Sequence, residues 1–474
     1  MRTQKNWDGE QTHALLLQLF CVFLILQPVF DVLSQMDVRG YLPFGISTYI
    51  KPLFAGFLNI ALLLLYKKEF GRCAVTYSLF AVLAIVHSVL MYGLQIDLSV
   101  IFHEIRFMIN LLYMLILYQD LRILYRYASN PKSYADRLTK ALLICFGLYL
   151  GLYLLAVVSG TSGMTYEYAD ATKLGFKGWF HSGQIFGHAL CICMPLLVCV
   201  LLNNNCQNPL LRILGKLCIT IPVLVLCLIG TKVSFYIPII VLGAQVVLEL
   251  FFAIRGKDRS HVFNALLCAA CVVVCLLAYP YTAVYHNTQV NDLTLADKYD
   301  AQELETFIES EREKHLSHNW GDRNWTEKAL SVLEGKFRSE ELHPSQMRNR
   351  QLCFTSVKFM EAPLFYKLFG IGYLNQLDMA IERDVMCALF CFGIFGFLFC
   401  LCVPIYHWLQ AAFVILKRLF KADIKTLCLF EGLSMFFFIS WYAGATFIYT
   451  QFSIFLMVVI CLLKQHIGAL NDQH

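Results

Sequence analysis

Charge is what this chain has least of. Asp, Glu, Lys and Arg together make up 15% of its 474 residues, against about a quarter in an ordinary soluble domain. That shortage excludes a water-soluble globular enzyme. The net charge of +5 is not gathered in one place either. Its Lys and Arg are spread through short connections, which argues against a nucleic-acid partner. Nucleotide and zinc signatures are missing too. There is no Gly-x-x-x-x-Gly-Lys-Ser/Thr loop and no His-Glu-x-x-His helix. Cysteine is plentiful at 19, but most of it lies inside apolar runs such as Leu266-Leu-Cys-Ala-Ala-Cys-Val-Val-Val-Cys275. There it acts as a small hydrophobe, and its spacings match no zinc or haem pattern. Cys353 is the exception, alone in a polar stretch. No small-residue cleavage site follows the first apolar run, so that run is read as a span and not as a leader.

What the chain does have is apolar length: 58% of it is hydrophobic and the mean hydropathy is +0.60. A spanning helix needs about 20 mainly apolar residues. Twelve segments qualify: 14–34, 43–66, 74–94, 99–119, 141–159, 183–202, 209–229, 233–254, 262–280, 385–406, 425–443 and 444–463. The expected fold class is therefore an all-α polytopic membrane protein with about 12 transmembrane helices. Basic residues follow every even-numbered span, in clusters such as Lys67, Lys68 and Arg72, or Lys417, Arg418, Lys421 and Lys425. By the positive-inside rule both termini are cytoplasmic. The one long polar insert is then external. The division expected is a membrane domain over 1–280 with spans 1–9, an external, partly helical loop over 281–384, and a second membrane portion over 385–474 with spans 10–12. Inside the loop, helices are expected near 300–318, 326–338 and 351–360, with Pro363 ending the last.

Ionisable groups within spans cost about 2.5–3.5 kcal/mol each at a helix centre, so each asks for a reason. Lys51, then His103, Glu104 and Arg106, then His181, Gln184 and His188, Lys232, and Asp384 all fall at similar depth near the insert. A cavity open to that side would look like this. Plainer readings stand beside it. Glu104 is either a catalytic group or the ion-pair partner of Lys51 or Arg106. His188 is either a core histidine or a ligand, and Lys232 either binds something or snorkels to the interface. Arg348 and Arg350 offer planar forks suited to phosphate, or pair with the loop's own carboxylates. Glu382 suits a general base raised by partial burial. Asp384, just before Val385, suits either that role or a helix N-cap.

Three short motifs bring a family into view. They are Gly178-Trp-Phe-His-Ser-Gly-Gln184 followed by Pro195, Gly230-Thr-Lys232, and Leu368-Phe-Gly-Ile-Gly-Tyr373 followed by Ile381-Glu-Arg-Asp384 and Gly393-x-x-Gly396. In this order and topology the chain resembles the O-antigen ligase and polymerase superfamily, above all the Wzy-type oligosaccharide repeat-unit polymerases. The resemblance covers roughly residues 175–400. It implies a GT-C-like fold, no metal and no other cofactor, and a polyprenyl-diphosphate-linked oligosaccharide as substrate in the bilayer of a bacterial cytoplasmic membrane. It also implies that Lys232 and one of Arg348 and Arg350 bind the donor's diphosphate. A chain-length regulator and a flippase of the same pathway are the protein partners it suggests. Many ligases carry a His where this chain has Glu382 and Asp384, which leaves the base open. The rival readings are a ligase of the same superfamily, a lipid-linked oligosaccharide flippase or other transporter, and a sensor or scaffold. A transporter would carry cations through the full membrane depth; here they gather in one half.

Overall fold

The computed structural model describes residues 2–38, 46–92, 98–166, 172–204, 206–296, 299–317, 323–372, 381, 383–444, 446 and 449–472. Almost all of the described chain is helix. In chain order the first six helices are α1 (Arg2–Ile25), α2 (Gln27–Val38), α3 (Ile46–Leu65), α4 (Phe70–Tyr92), α5 (Leu98–Arg126) and α6 (Pro131–Val158). A two-stranded hairpin, β1 (Gly163–Met164) and β2 (Phe176–Gly178), leads into α7 (Gly183–Leu202). Four helices follow, α8 (Pro209–Leu217), α9 (Thr220–Ile229), α10 (Lys232–Gly256) and α11 (Arg259–Ala278). The insert holds α12 (Ala283–Ala296), α13 (Ala301–Ser317), α14 (Arg323–Arg338), α15 (Met347–Glu361) and α16 (Leu364–Phe369). The chain closes with α17 (Asp384–Arg418), α18 (Ile424–Tyr442) and α19 (Thr450–Asn471).

This is a multi-pass, all-α membrane protein. Among the described residues nine helices are long and apolar enough to cross a membrane, and the pair α1–α2, bent by 48° at Leu26, makes a tenth. The other two of the twelve expected segments fall on α3 and α5. The described apolar part of α3 is 17 residues, Tyr49–Leu65, a little short of the usual length. Helix α5 is long, but its last two turns carry Asp120, Arg122 and Arg126. Among the described residues, ten spans thus satisfy length and composition. The seventh segment is also jointed, because α8 and α9 meet at Cys218–Ile219.

The helices are spaced by small residues where backbones come close. A Cβ at Gly187 of α7 would meet Ser234 Oγ of α10 at 2.7 Å, and one at Gly432 of α18 would strike the carbonyl of Ile192 in α7. Helix α7 is consequently buried along nearly its whole length, as is α19. On the basic side, Glu69 is the hub. It is 3% exposed and takes ion pairs from Arg122 at 2.8 Å and Arg126 at 2.9 Å, and the Tyr127 hydroxyl donates to it at 3.2 Å. One carboxylate thereby ties the turn before α4 to the end of α5.

The insert has a small core of its own, in which Ile308, Ala329, Leu330, Leu333, Phe337, Leu342 and Phe354 join α13, α14 and α15. It is fastened to the membrane body by a backbone interlock. Helix α17 breaks at Gly393, whose φ of 69° and ψ of −173° are not helical. The break frees two carbonyls: Ile371 N–H donates to Phe390 O at 2.9 Å, and Gly372 N–H donates to Cys391 O at 3.1 Å. Gly370, at φ 97°, and Gly393 sit so close that a Cβ on either would overlap the other strand's backbone. Only glycine accepts both the geometry and the contact.

Gly393→Ala is expected to destabilise the protein by about 2 kcal/mol or more, since it combines a left-handed backbone with a backbone clash. Gly243→Ala, where a Cβ meets nothing within 4 Å, is the control and should leave the detergent-solubilised melting temperature unchanged or slightly raised. Equal melting of both variants would contradict the interlock.

Candidate functional site

Three helices start on the side that carries the insert, and each start is shaped by local chemistry. Ser182 caps α7, its side chain accepting from Ile185 N–H at 3.3 Å. Thr231 caps α10 by accepting from Ser234 N–H at 3.2 Å. Before that cap, Gly230 ends α9 in the left-handed conformation at φ 80°. Three contacts hold the turn. Thr165 Oγ1 donates to Ile229 O at 2.8 Å, and Asn287 Nδ2 of α12 donates to Gly230 O at 2.9 Å and to Leu174 O at 2.7 Å. Lys232 is the first residue of α10 and is exposed. The insert's first helix therefore sets where Lys232 stands.

Asp384 is the first residue of α17 and fully buried. The cap position belongs to Arg383, so Asp384 is not the N-cap that its place before Val385 suggested. Its carboxylate instead accepts from both the backbone N–H and the hydroxyl of Thr446 in the α18–α19 turn. Thr446 Oγ1 also lies 2.8 Å from Ser440 Oγ. The same turn meets α7, because Gln184 Nε2 donates to Ala443 O at 3.4 Å. His181 is exposed, with Nδ1 3.4 Å from Gln35 Oε1 of α2. The N-termini of α7 and α17 are thus joined through one turn, and both turn their positive dipole ends to the insert side.

Below them lies a polar triad that sequence reasoning missed. Lys51 pairs with Asp31, and Asp31 also accepts from the Tyr149 hydroxyl. All three are almost wholly buried, in α3, α2 and α6. Asp31 is an acid inside an apolar run, the signal that marked the other candidates.

The remaining predicted residues are placed as follows. Arg348 and Arg350 are both helical, in the first turn of α15. Residues two apart on a helix point to different sides, so they do not form one clamp. Arg348 is exposed. Arg350 is turned into the insert, 3.5 Å from Glu311 and with its guanidinium 5.2 Å from the centre of the Phe307 ring. Glu382 and the side chains of His103, Glu104 and Arg106 lie outside the described residues. His188 is fully buried in α7. Among the described residues no three His, Cys, Asp or Glu side chains come together to hold a metal ion.

A family model described as O-antigen ligase like membrane protein matches residues 11–468. The chain belongs to that family. No curated protein matches it. In this O-antigen ligase-like protein the motifs around Gly178, Gly230 and Gly370 turn out to build the helix starts and the insert's anchorage. Their glycines carry backbone geometry, with Lys232 and Gln184 beside it.

The insert's own integrity is open to test. His315, whose Nε2 lies 3.6 Å from the carboxylate, and the Arg350 charge hold the Glu311 carboxyl below its ordinary 4.5, against the upward push of burial. A depressed acid stabilises above its unfolded value and loses that contribution as pH falls through the lowered one. The α13–α15 amides should therefore be protected from hydrogen exchange down to about pH 4.5 and lose protection below it. Glu311→Gln should show the low-pH pattern at neutral pH; identical exchange in mutant and wild type would contradict the pairing.

Proposed function

We propose that this protein transfers polyprenyl-diphosphate-linked oligosaccharide repeat units to a growing glycan on the outer face of the cytoplasmic membrane, with inversion at the anomeric carbon. Family membership across nearly the whole chain supports glycan transfer in polysaccharide assembly. One observation supports the location: the polar insert is fastened at the turn before α10 and at α17, through Asn287 and through Ile371 and Gly372. Basic residues follow the even-numbered spans, which by the positive-inside rule supports reading the insert side as the outside.

In this reading the donor enters laterally from the outer leaflet. Lys232, at the start of α10, stabilises charge developing on the leaving diphosphate, helped by an insert arginine, with Arg348 and Arg350 as the candidates. This is electrostatic catalysis by fixed groups. Glu382 takes the proton from the acceptor sugar hydroxyl as its oxygen bonds to the anomeric carbon and the bond to the diphosphate breaks. Asp384 holds the α18–α19 turn beside the site. His181 and Gln184, and Glu104 and Arg106 from α5, are proposed to bind sugar. A chain-length regulator and a flippase are its proposed partners.

A ligase that moves finished glycan to a different acceptor is the second reading, favoured by the description of the matching family. The test is reconstitution of the purified protein with a polyprenyl-diphosphate oligosaccharide, read as a ladder on a gel. A ladder supports the polymerase, and Lys232→Ala and Glu382→Gln should each reduce it about a hundredfold or more with the protein still in the membrane. Normal ladders from both variants would remove these assignments. Transfer only after a separate acceptor is added would make it a ligase, and no transfer at all would return a flippase to the front.

A further inference from the structure

Protein interiors pack closely, with few voids larger than a water molecule. Helix α4 stands apart from that rule. Only 11% of its apolar stretch is buried, against 89% for α7. Between α4 and α5 runs a cavity of about 360 Å³, lined by Phe80, Ala84, Ser88 and Met108 among others. A cleft of about 30 Å³ continues it inward to α17 and shares Phe80, Ala84 and Met108 with it.

The walls of this groove are aromatic and closely tied. At its insert end His87 Nδ1 lies 2.7 Å from Phe369 O, and the His87 ring is 5.2 Å from that of Phe392. At its far end the Phe80 and Phe399 rings meet at 5.7 Å. His87 and Phe80 are seven residues apart on α4, so the groove follows that helix for about 10 Å. Its third side is open: Ile85, Val89 and Ile109 line it and are exposed. Those residues belong to the face that α4 and α5 turn to the bilayer. The same apolar surface continues onto α16, where Leu364 and Phe365 are exposed. There the Phe365, Phe369 and Phe395 rings follow one another at 5.0 and 5.3 Å. Trp325 packs edge-on against Tyr366 of α16 at 5.1 Å. Trp and Tyr favour the level of lipid headgroups.

We propose that this groove binds one acyl chain of a phospholipid from the insert-side leaflet, with the headgroup at the level of α16. The bilayer reaches the open side, and hydrocarbon is what an apolar void of this size takes up. His87 and Ser88 are the only described lining side chains that offer nitrogen or oxygen. A diphosphate would find no fixed cation there, whereas an acyl chain needs none. Lys232 belongs to α10, which packs on α7 and α11, so the lipid site is separate from the one proposed for the donor and stands without it. The bound chain supplies packing that α4 does not receive from protein. It thereby supports the His87–Phe369 contact, which ties α4 to the insert next to the strap.

The test uses the full-length protein in nanodiscs containing phosphatidylglycerol with a diazirine midway along one acyl chain. After illumination, lipid adducts are mapped by mass spectrometry. The peptide holding Met108 and Leu112 should be labelled more heavily than the one holding Leu266 and Val273, which are exposed on α11. Ala84→Phe, which fills the groove, should bring the α5 adducts down to the α11 level and leave the α11 adducts unchanged. A melting temperature identifies a misfolded Ala84→Phe, in which case Ser88→Phe, on the face of α4 that carries Ile85, gives the same readout. Equal labelling of α5 and α11 in wild type would overturn the site, as would undiminished α5 labelling in the folded variant. Labelling removed by farnesol but not by the same amount of unlabelled phosphatidylglycerol would make the groove a prenyl-chain site and overturn the phospholipid assignment.

Discussion

Everything on the insert side depends on one backbone interlock. Helix α17 stops being a helix at Gly393, and the carbonyls of Phe390 and Cys391 that this frees are taken by Ile371 and Gly372 at the end of the insert. A helix packed inside a membrane protein cannot leave carbonyls unpaired, because its apolar surroundings offer no donors. The break and the strap therefore require each other. Without the strap the broken helix would hold unsatisfied carbonyls; without the break the insert would have no seat.

From that anchorage the site assembles in steps. The strap fixes α16, and α15 lies against α17 through Phe359 and Phe390. At the insert's other end, Asn287 fixes the Gly230 turn and hence the start of α10. The α18–α19 turn, held by Asp384 and touched by Gln184, joins the starts of α17 and α7. Three positive helix ends and several cations thus surround one region, and an anionic headgroup at a membrane surface fits that field. Among the described residues, Asp31 is engaged by Lys51 and Tyr149, Asp384 by Thr446, and Glu311 by Arg350.

Much of the architecture was legible in the sequence, because apolar length is a strong signal. The insert's helices were expected at 300–318, 326–338 and 351–360 and stand at Ala301–Ser317, Arg323–Arg338 and Met347–Glu361. The last begins earlier than expected, which puts Arg348 and Arg350 on a helix and separates them. Pairing across helices was less legible. Nothing in the order of residues says that Lys51 meets Asp31, or that Asp384 reaches a threonine 62 residues on. The glycines of 370–372 and 393 were visible as a pattern, but their use as an interlock needs the two segments side by side.

The most direct measurement is a cryo-electron microscopy map of the protein in nanodiscs with a polyprenyl-diphosphate oligosaccharide bound. This account predicts diphosphate density on the insert side, near Lys232 at the start of α10, with the glycan running toward the start of α7. Density for the headgroup on the basic side of the membrane, or against the insert's outer surface away from α17, would contradict it.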